Sequence, residues 1–246
     1  MDPDADLASV AALIADRNRA QMLLTLLGGV PQSGSALAEA AGISRSLASA
    51  HLKKLVTGGF VRMEPHGRQR LYSIASAAVA DTLEILILLA PASPARSLSQ
   101  NGRAKNLRWA RMCYDHLGGA VGVAITEALT GHGLICEQGG AFMLGTRGAD
   151  SFAELGIDIS RLEQNTRPLL RPCMDWSERR FHLAGSLGAA LTTFMQNQRW
   201  IMTHEASRIV TVKPAGVSGL RDWLGIDLAA LRDAGQAVAS TVKRDW

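Results

Sequence analysis

Two cysteines and two histidines in the second half of the chain are the residues best suited to metal or redox chemistry. Cys113 and His116 are three residues apart, which would place them on one face of a helix. Cys173 and His182 lie nine residues apart in a related stretch. If the two stretches pack symmetrically, two thiolates and two imidazoles converge as a tetrahedral set for zinc or another soft divalent metal. Buried structural side chains, or thiols that sense oxidants, are the other roles that the pattern leaves open.

The longer spacing in the second stretch comes from six extra residues at 176–181. Trp176, Arg179 and Arg180 combine an aromatic ring with guanidinium groups, a mixture that suits a planar anionic or aromatic effector. The alternative, which the pattern favours, is a surface turn that leads into a helix with Ser177 as its N-cap.

Both stretches belong to an internal repeat. Residues 116–125 match 182–191, and residues 155–158 match 224–227. Each copy predicts a helix, a β-hairpin and a second helix. Gly and Ala in the first helix of each copy favour a close crossing of the two copies about a pseudo-twofold axis.

Basic side chains concentrate in the first third of the chain. Residues 17–80 contain eight Lys and Arg residues but only two acidic ones. A compact basic module favours a polyanionic partner, because each phosphate that it neutralises releases counterions. A solvated basic face is the alternative that charge alone leaves open.

Residues 33–57 predict two short helices joined by a tight turn. Ser33 or Ser35 caps the first helix, Gly42 supplies the turn, and Ser44 caps a second helix at about 45–57. That second helix has one apolar face and one face of short polar and basic side chains, which suits the major groove. The DNA-contacting residues predicted on it are Arg45, Ser46, Ser49, His51 and Lys53.

A basic β-hairpin follows the two helices. Residues 60–64 and 69–74 alternate as strands around a turn at 65–67. Arg68 lies at the tip, and Arg62 and Arg70 lie on the arms. A basic hairpin beside a recognition helix predicts a wing whose arginines contact phosphates or the minor groove.

The combination of these segments resembles the arsenic-repressor-like (ArsR) family of winged-helix regulators. The matching stretches are LIADRNR from residue 13, LAEAAGIS from 37, LASAHLKKL from 47 and GRQRLY from 67. The resemblance covers residues 7–90 and is nearest to the cadmium/lead-sensing branch. It implies a homodimeric repressor that occupies an operator on double-stranded DNA and leaves it when an inducer binds.

The resemblance also implies metal sites that this chain lacks. Family members bind soft metals through cysteines in the first helix of the helix-turn-helix, through Asp/His and His/Glu pairs on the last helix, or through cysteines near the end of the recognition helix. Here the last helix offers Asp81 and Glu84 without a histidine, and residues 1–112 contain no cysteine. A soft metal therefore has to be bound in the second domain if one is sensed.

Residues 77–90 predict a helix that is apolar on nearly all sides. Its two stripes are Val79, Leu83, Ile87 and Ala90, and Ile85, Leu88 and Leu89. Such a helix needs two partners, and the domain core and a second subunit are the partners expected here. A twofold dimer would set two recognition helices about one turn of DNA apart.

Bulk properties narrow the function classes. Hydrophobic residues make up 47% of the 246-residue chain, so a full core can form. No apolar stretch approaches the roughly 18 residues that a membrane span needs, and the acidic start lacks the features of a signal peptide. We therefore expect a cytoplasmic protein with reduced thiols and no membrane contact. No catalytic motif is present, so we expect no enzyme; an enzymatic or purely structural second domain remains an alternative.

These observations predict a mainly α fold with small β-hairpins, of the α+β class. We expect a winged helix-turn-helix DNA-binding and dimerisation domain at 1–92, a linker at 93–102 and a duplicated effector or oligomerisation domain at 103–246. The repeats are predicted at about 103–160 and 170–230. The expected function is a homodimeric repressor released from its operator by a small molecule, a metal or thiol oxidation in the second domain.

Overall fold

The computed structural model describes residues 5–91 and 97–241. The chain divides into two compact units. The first comprises residues 1–90 together with 204–208, and the second comprises residues 91–203 and 209–246. Residues 93–96 of the predicted linker lie outside the described residues. Residues 98–102, which were also predicted as linker, are helical.

The first unit is a winged helix-turn-helix, as the sequence predicted. Its elements, in chain order, are α1 (Leu7–Ile14), α2 (Arg17–Leu26), β1 (Gln32–Ser33), α3 (Gly34–Ala41), α4 (Arg45–Thr57), β2 (Val61–His66), β3 (Gln69–Ile74) and α5 (Ala77–Leu89). Helices α3 and α4 form the helix-turn-helix, and β2 and β3 form the wing.

Side-chain caps fix where these helices begin. Asp16 accepts hydrogen bonds from the backbone N–H groups of Asn18 and Arg19, both at 3.0 Å, at the start of α2. Ser33 and Ser44 accept the corresponding bonds at the starts of α3 and α4. Gly42 ends α3 at φ 67°, a conformation that glycine adopts at little steric cost. The turn and the caps thus set the angle at which α4 leaves α3.

The wing is a regular antiparallel hairpin. Its register runs from Val61 opposite Ile74 to His66 opposite Gln69, so the predicted strand 60–64 extends two residues further. A short strand that the sequence did not predict, β1, pairs with the other side of β3 and places Gln32 opposite Tyr72. The resulting sheet holds the wing against the helix-turn-helix.

Helix α5 is buried on one side only. Ala80 and Leu83 are buried, whereas Ile85 is 59% and Leu89 77% exposed. Glu84 is also buried and forms an ion pair with Arg208, from the 204–208 segment of the same unit. A buried carboxylate needs such a partner, because an unpaired charge in the interior is strongly destabilising.

The second unit alternates hairpins and helices. In chain order its elements are α6 (Leu98–Trp109), β4 (Arg111–Cys113), β5 (His116–Gly118), α7 (Ala120–Gly131), β6 (Ile135–Gln138), β7 (Ala141–Leu144), α8 (Gly148–Glu154), α9 (Ile159–Glu163), β8 (Arg171–Met174), β9 (Phe181–Ala184), α10 (Gly185–Asn197), β10 (Ile201–His204), β11 (Ser207–Val212), α11 (Pro214–Leu224) and α12 (Leu228–Thr241). No helix in the described part of the chain is long and apolar enough to cross a membrane.

Each half of the second unit contains the predicted helix, hairpin and helix, but it also contains elements that the sequence did not predict. Each half opens with a hairpin, β4–β5 or β8–β9, which is followed by a helix, a second hairpin and two helices. The opening hairpins were missed, and the stretch around Cys113 and His116 that was predicted as helical is a pair of strands. Strand β11 pairs with β4, so hairpins from the two halves share one sheet.

Glycines allow the helices after the opening hairpins to approach strands closely. A Cβ on Gly122 of α7 would lie 2.3 Å from the carbonyl oxygen of Leu117, and one on Gly188 of α10 would lie 2.6 Å from that of Leu183. Helix α7 packs on β9, and α10 packs on β5. The glycines that favoured a crossing of two helices therefore serve close packing of helices on strands.

Candidate functional sites

Four of the five contact residues predicted on α4 lie on its exposed face: Arg45, Ser46, Ser49 and Lys53. The opposite face carries Ala48, Leu52 and Leu55, all 1% exposed or less. The apolar face anchors α4 in the domain and leaves short polar and basic side chains free to approach base edges.

His51 is the exception on α4. It is buried, and its Nδ1 lies 3.4 Å from the guanidinium of Arg19 and 3.8 Å from the carboxylate of Asp16. Position 51 lies one helical turn after Ala48 and therefore falls beside the buried face. The structure places this residue inside the domain, so it is not part of the exposed α4 face.

The wing arginines are all exposed. Arg62 donates a hydrogen bond from its Nε to the hydroxyl of Ser73 at 2.8 Å and lies 3.3 Å from the carboxylate of Glu64. Arg68 lies in the turn and Arg70 on the returning strand, and both side chains are exposed. The wing therefore presents exposed positive charge, in the same unit as the exposed face of α4.

The four Cys and His residues singled out from the sequence converge in the second unit. All four are buried, and one ligand atom from each, Sγ for cysteine and a ring nitrogen for histidine, lies within 4.8 Å of the others. The two Sγ atoms are 3.8 Å apart. We call Cys113, His116, Cys173 and His182 the Cys/His cluster.

The cluster forms by strand pairing and not by helical spacing. Cys113 pairs with His116 across the β4–β5 hairpin, and Cys173 pairs with His182 across β8–β9. The prediction of one helical face for Cys113 and His116 was wrong. The six extra residues lengthen the second hairpin turn and leave the Cys–His pairing intact.

A carboxylate faces each imidazole. Nδ1 of His116 lies 3.2 Å from Oδ1 of Asp115, and Nδ1 of His182 lies 3.2 Å from Oδ2 of Asp175. Nε2 of both histidines is buried and has no hydrogen-bond partner among the described residues. Nδ1 of each ring thus lies close to a carboxylate, and both rings also interact with Cys113.

Asp175 is held by a buried polar network that the sequence did not reveal. Its Oδ2 accepts hydrogen bonds from Arg111 at 2.9 Å and from the N–H of Gly119 at 2.7 Å, while its Oδ1 accepts from the N–H and hydroxyl of Ser177. Asp175 and Arg111 are both 0% exposed. Asp115 instead pairs with Arg167, and both are partly exposed.

The predicted effector residues at 176–181 belong to the long hairpin turn. Trp176 stacks on the guanidinium of Arg111, 4.5 Å from its ring centroid, and Arg180 pairs with Glu127 at 2.6 Å. Arg179 is exposed and adopts a positive φ of 56°. Ser177 does not start a helix, because Asp175 fixes this segment as a turn.

Charged neighbours shift the pKa values of the two histidines and of the carboxylates beside them. Burial raises the pKa of Asp175, but His182 and Arg111 outweigh burial and hold that pKa well below its usual range. Burial also raises the pKa of Asp115, yet His116 and Arg167 lower it to about 2. Burial lowers the pKa of His182, but the carboxylate of Asp175 raises it to about 9. The pKa of His116 is likewise raised despite burial, by the charge of Cys113 and the hydrogen bond with Asp115.

Comparisons with known proteins cover both units. Residues 14–64 match the helix-turn-helix domain family. Over 228 residues the chain is 34% identical to the uncharacterized HTH-type transcriptional regulator YdfF of Bacillus subtilis (strain 168), a match that spans 93% of this chain and all of that protein.

Two similar solved structures each cover just over a third of this chain. The homodimeric winged helix-turn-helix DNA-binding domain Mb0332 of Mycobacterium bovis, a possible ArsR-family regulator, is 29% identical over 36% of this chain and 89% of its own, with a TM-score of 0.32. The cadmium sensor CMTR of Mycobacterium tuberculosis is 33% identical over 37% of this chain and 93% of its own, with a TM-score of 0.30.

Proposed function

Because the chain belongs to the HTH-type transcriptional regulators, we propose that it is a cytoplasmic homodimeric repressor. It occupies operator DNA and is released by an effector that binds in the second unit. The observation that carries the proposal is that the polar and basic face of α4 and the arginine-bearing wing of the same unit are both exposed.

The two surfaces make different kinds of DNA contact. Arg45 lies at the first position of α4 and Ser49 about one turn later, so both can reach base edges when α4 enters the major groove. Arg68 and Arg70 are exposed on the wing and contact phosphates or the minor groove. Base contacts select the operator, whereas the wing adds affinity for any duplex.

Exposed apolar side chains on α1 and α5 support the dimer. Leu7 is 75%, Ile85 59% and Leu89 77% exposed. Burying them against the same helices of a second copy removes apolar surface from water, which favours association. The dimer presents two α4 helices to the two half-sites of a palindromic operator.

The effector that the Cys/His cluster favours is a soft divalent metal. Paired cysteines and histidines are typical ligands of such ions. A small molecule held by Trp176, Arg179 and Arg180 has less support, because Trp176 and Arg180 already contact Arg111 and Glu127. A purely structural second unit would leave operator affinity unchanged by metals, thiol reagents and small molecules.

The test of DNA binding starts with operator selection from random duplex DNA by the full chain. Binding to the selected duplex is then followed by fluorescence anisotropy over a range of salt concentrations. We expect Arg68→Ala to weaken binding to all sequences and to lower the salt slope by about 1, since one phosphate contact is lost.

Arg103→Ala, which removes the same charge from an exposed position on α6, is the matched control and should leave affinity unchanged. Failure to select any sequence would contradict the proposed function. An unchanged salt slope for Arg68→Ala would contradict the role of the wing.

A further inference from the structure

We propose that the Cys/His cluster is a four-coordinate site for a divalent ion of the zinc class, bound by Sγ of Cys113 and Cys173 and by Nε2 of His116 and His182. This inference names the effector of the proposed function as a metal ion. Only the effect of that ion on operator binding rests on the proposed function. The ion binding itself is carried by the geometry of the second unit.

The separation of the two thiols matches metal ligation. Two thiolates at about 2.3 Å from a tetrahedral zinc ion are about 3.8 Å apart. The Sγ atoms of Cys113 and Cys173 are 3.8 Å apart, whereas a disulfide requires a separation of about 2.05 Å. The pair therefore already has the spacing of two metal ligands on neighbouring hairpins.

The imidazoles complete the set. Within the part of the chain that the structure describes, Nε2 of His116 and Nε2 of His182 are buried and have no hydrogen-bond partner, an arrangement that a bound ion would relieve. The ring centroids are 5.1 Å apart, and the ligand atoms of all four residues lie within 4.8 Å of one another. A contraction of about 1 Å brings the four atoms to zinc-ligand distances.

The surroundings resemble the outer shell of a metal site in both halves. Carboxylates on Nδ1 orient metal-binding histidines and fix Nε2 as the coordinating atom. Asp115 and Asp175 occupy that position on His116 and His182. Gly118 leaves room for this arrangement, because a Cβ there would lie 3.3 Å from both Oδ2 of Asp175 and Nε2 of His182.

The two carboxylates beside the site differ in burial and in their hydrogen-bond partners. Arg111, Gly119 and Ser177 hold Asp175 in the interior, whereas Asp115 is 30% exposed and is held by Arg167 at the surface. Asp175 is thus the more firmly held of the two carboxylates. Cys113, His116 and His182 are at most 1% exposed and Cys173 is 7% exposed, so the ligands themselves are buried in both halves.

The experiment titrates the reduced full-length chain with Co²⁺, whose visible bands report tetrahedral geometry and whose near-ultraviolet charge-transfer band reports thiolate ligands. We expect one Co²⁺ per chain with both signals, followed by displacement of Co²⁺ by Zn²⁺. Cys113→Ser and Cys173→Ser should each reduce the thiolate band, and His182→Gln should abolish the tetrahedral spectrum.

Cys136→Ser is the matched control, since Cys136 is exposed on β6 and lies outside the cluster. It should titrate like the wild-type chain. A wild-type chain without a thiolate-to-cobalt band would overturn the proposal. So would a thiolate band that Cys136→Ser removes.

A ligand variant could lose binding simply because it does not fold, so variants of the two carboxylates provide a second test. Asp175→Asn and Asp115→Asn keep all four ligands, and each should weaken Zn²⁺ binding by about 10–100-fold. The larger effect is expected for Asp175→Asn, and circular dichroism verifies the fold of each variant. Equal Zn²⁺ affinity in wild-type and both variants would contradict the outer-shell role.

Operator binding is measured on the same samples. The result for the ion site can then be distinguished from the result for the repressor function. Zn²⁺ binding without DNA binding supports the ion site and removes the repressor function. DNA binding without any Co²⁺ or Zn²⁺ signal leaves the repressor function and overturns the ion site. If peroxide instead converts the two thiols to a disulfide, with two electrons and two protons passing to peroxide to give water, and no ion binds, the site is a redox pair.

Discussion

At the scale of single residues, α4 separates side chains that read DNA from side chains that anchor the helix. Arg45 and Ser49 are exposed, whereas Leu52 and Leu55 are buried against the domain. A short hydroxyl and a guanidinium on the outer face carry base discrimination, because their hydrogen bonds depend on which base edge they meet.

We expect Arg45→Ala and Ser49→Ala to relax base preference and not simply to lower affinity. Each should remove about 1–3 kcal/mol of discrimination at one operator position. Binding to a panel of singly substituted operators measures the change. Arg68→Ala is the contrasting variant, since it should weaken all members of the panel alike. A uniform loss across the panel for Arg45→Ala would contradict base contact by that residue.

From residue types alone, the sequence picked out all four members of the Cys/His cluster, but on α4 it also picked His51, which is buried. Cys113, His116, Cys173 and His182 stand out because thiols and imidazoles are rare here and recur in a repeat. His51 is polar and lies on the recognition helix, so the sequence favoured DNA contact. The Asp16 and Arg19 side chains that hold it in the interior come from α2, a contact that no local pattern indicates.

At the scale of elements, helix starts were predictable wherever a side chain caps them. Ser44 and Gly42 define the helix-turn-helix from sequence alone, because capping and positive φ favour few residue types. The opening hairpins of the second unit gave no such signal. Tyr114 occupies the turn of β4–β5 at φ 62°, and Arg179 occupies that of β8–β9 at φ 56°, where glycine or asparagine would have marked a turn.

The cap of α2 gives a prediction of stability. Asp16→Ala removes the acceptor for two backbone N–H groups and should lower stability by about 1 kcal/mol, seen as faster amide hydrogen exchange in α2. The N–H of Arg19 holds the pKa of Asp16 below its usual value. The ionised cap therefore stabilises α2 fully above the ordinary pKa of 3.8, and its contribution is lost as the pH falls through the lowered pKa.

The difference in exchange between wild-type and Asp16→Ala should accordingly shrink in acid. Asp158→Ala is the control, because Asp158 caps α9 in the second unit. It should change exchange in α9 and leave α2 unaffected. Equal protection of α2 in wild-type and Asp16→Ala at neutral pH would contradict the role of the cap.

At the scale of the whole molecule, the exposed apolar side of α5 predicts the oligomeric state. Leu89→Glu should shift the protein from dimer to monomer in sedimentation experiments. Losing the burial of a leucine weakens association by roughly 1.5 kcal/mol or more per copy, or about 100-fold in dissociation constant for the pair. Leu98→Glu, at a position that is 91% exposed on α6, is the matched control and should remain dimeric. A dimeric Leu89→Glu would place the subunit contact elsewhere.

Dimer, operator and ion are linked through one free-energy cycle. If Zn²⁺ at the Cys/His cluster weakens operator binding by some factor, operator DNA must weaken Zn²⁺ binding by the same factor. For a regulator of this kind we expect a factor of about 5–150. Operator affinity is measured with and without Zn²⁺, and Zn²⁺ affinity with and without operator, by competition with a chelator. The two factors should agree for the wild-type chain and for Cys136→Ser, and both should fall to 1 for Cys173→Ser. Tight Zn²⁺ binding with a factor of 1 in the wild-type chain would assign the ion a structural role and would require a different effector.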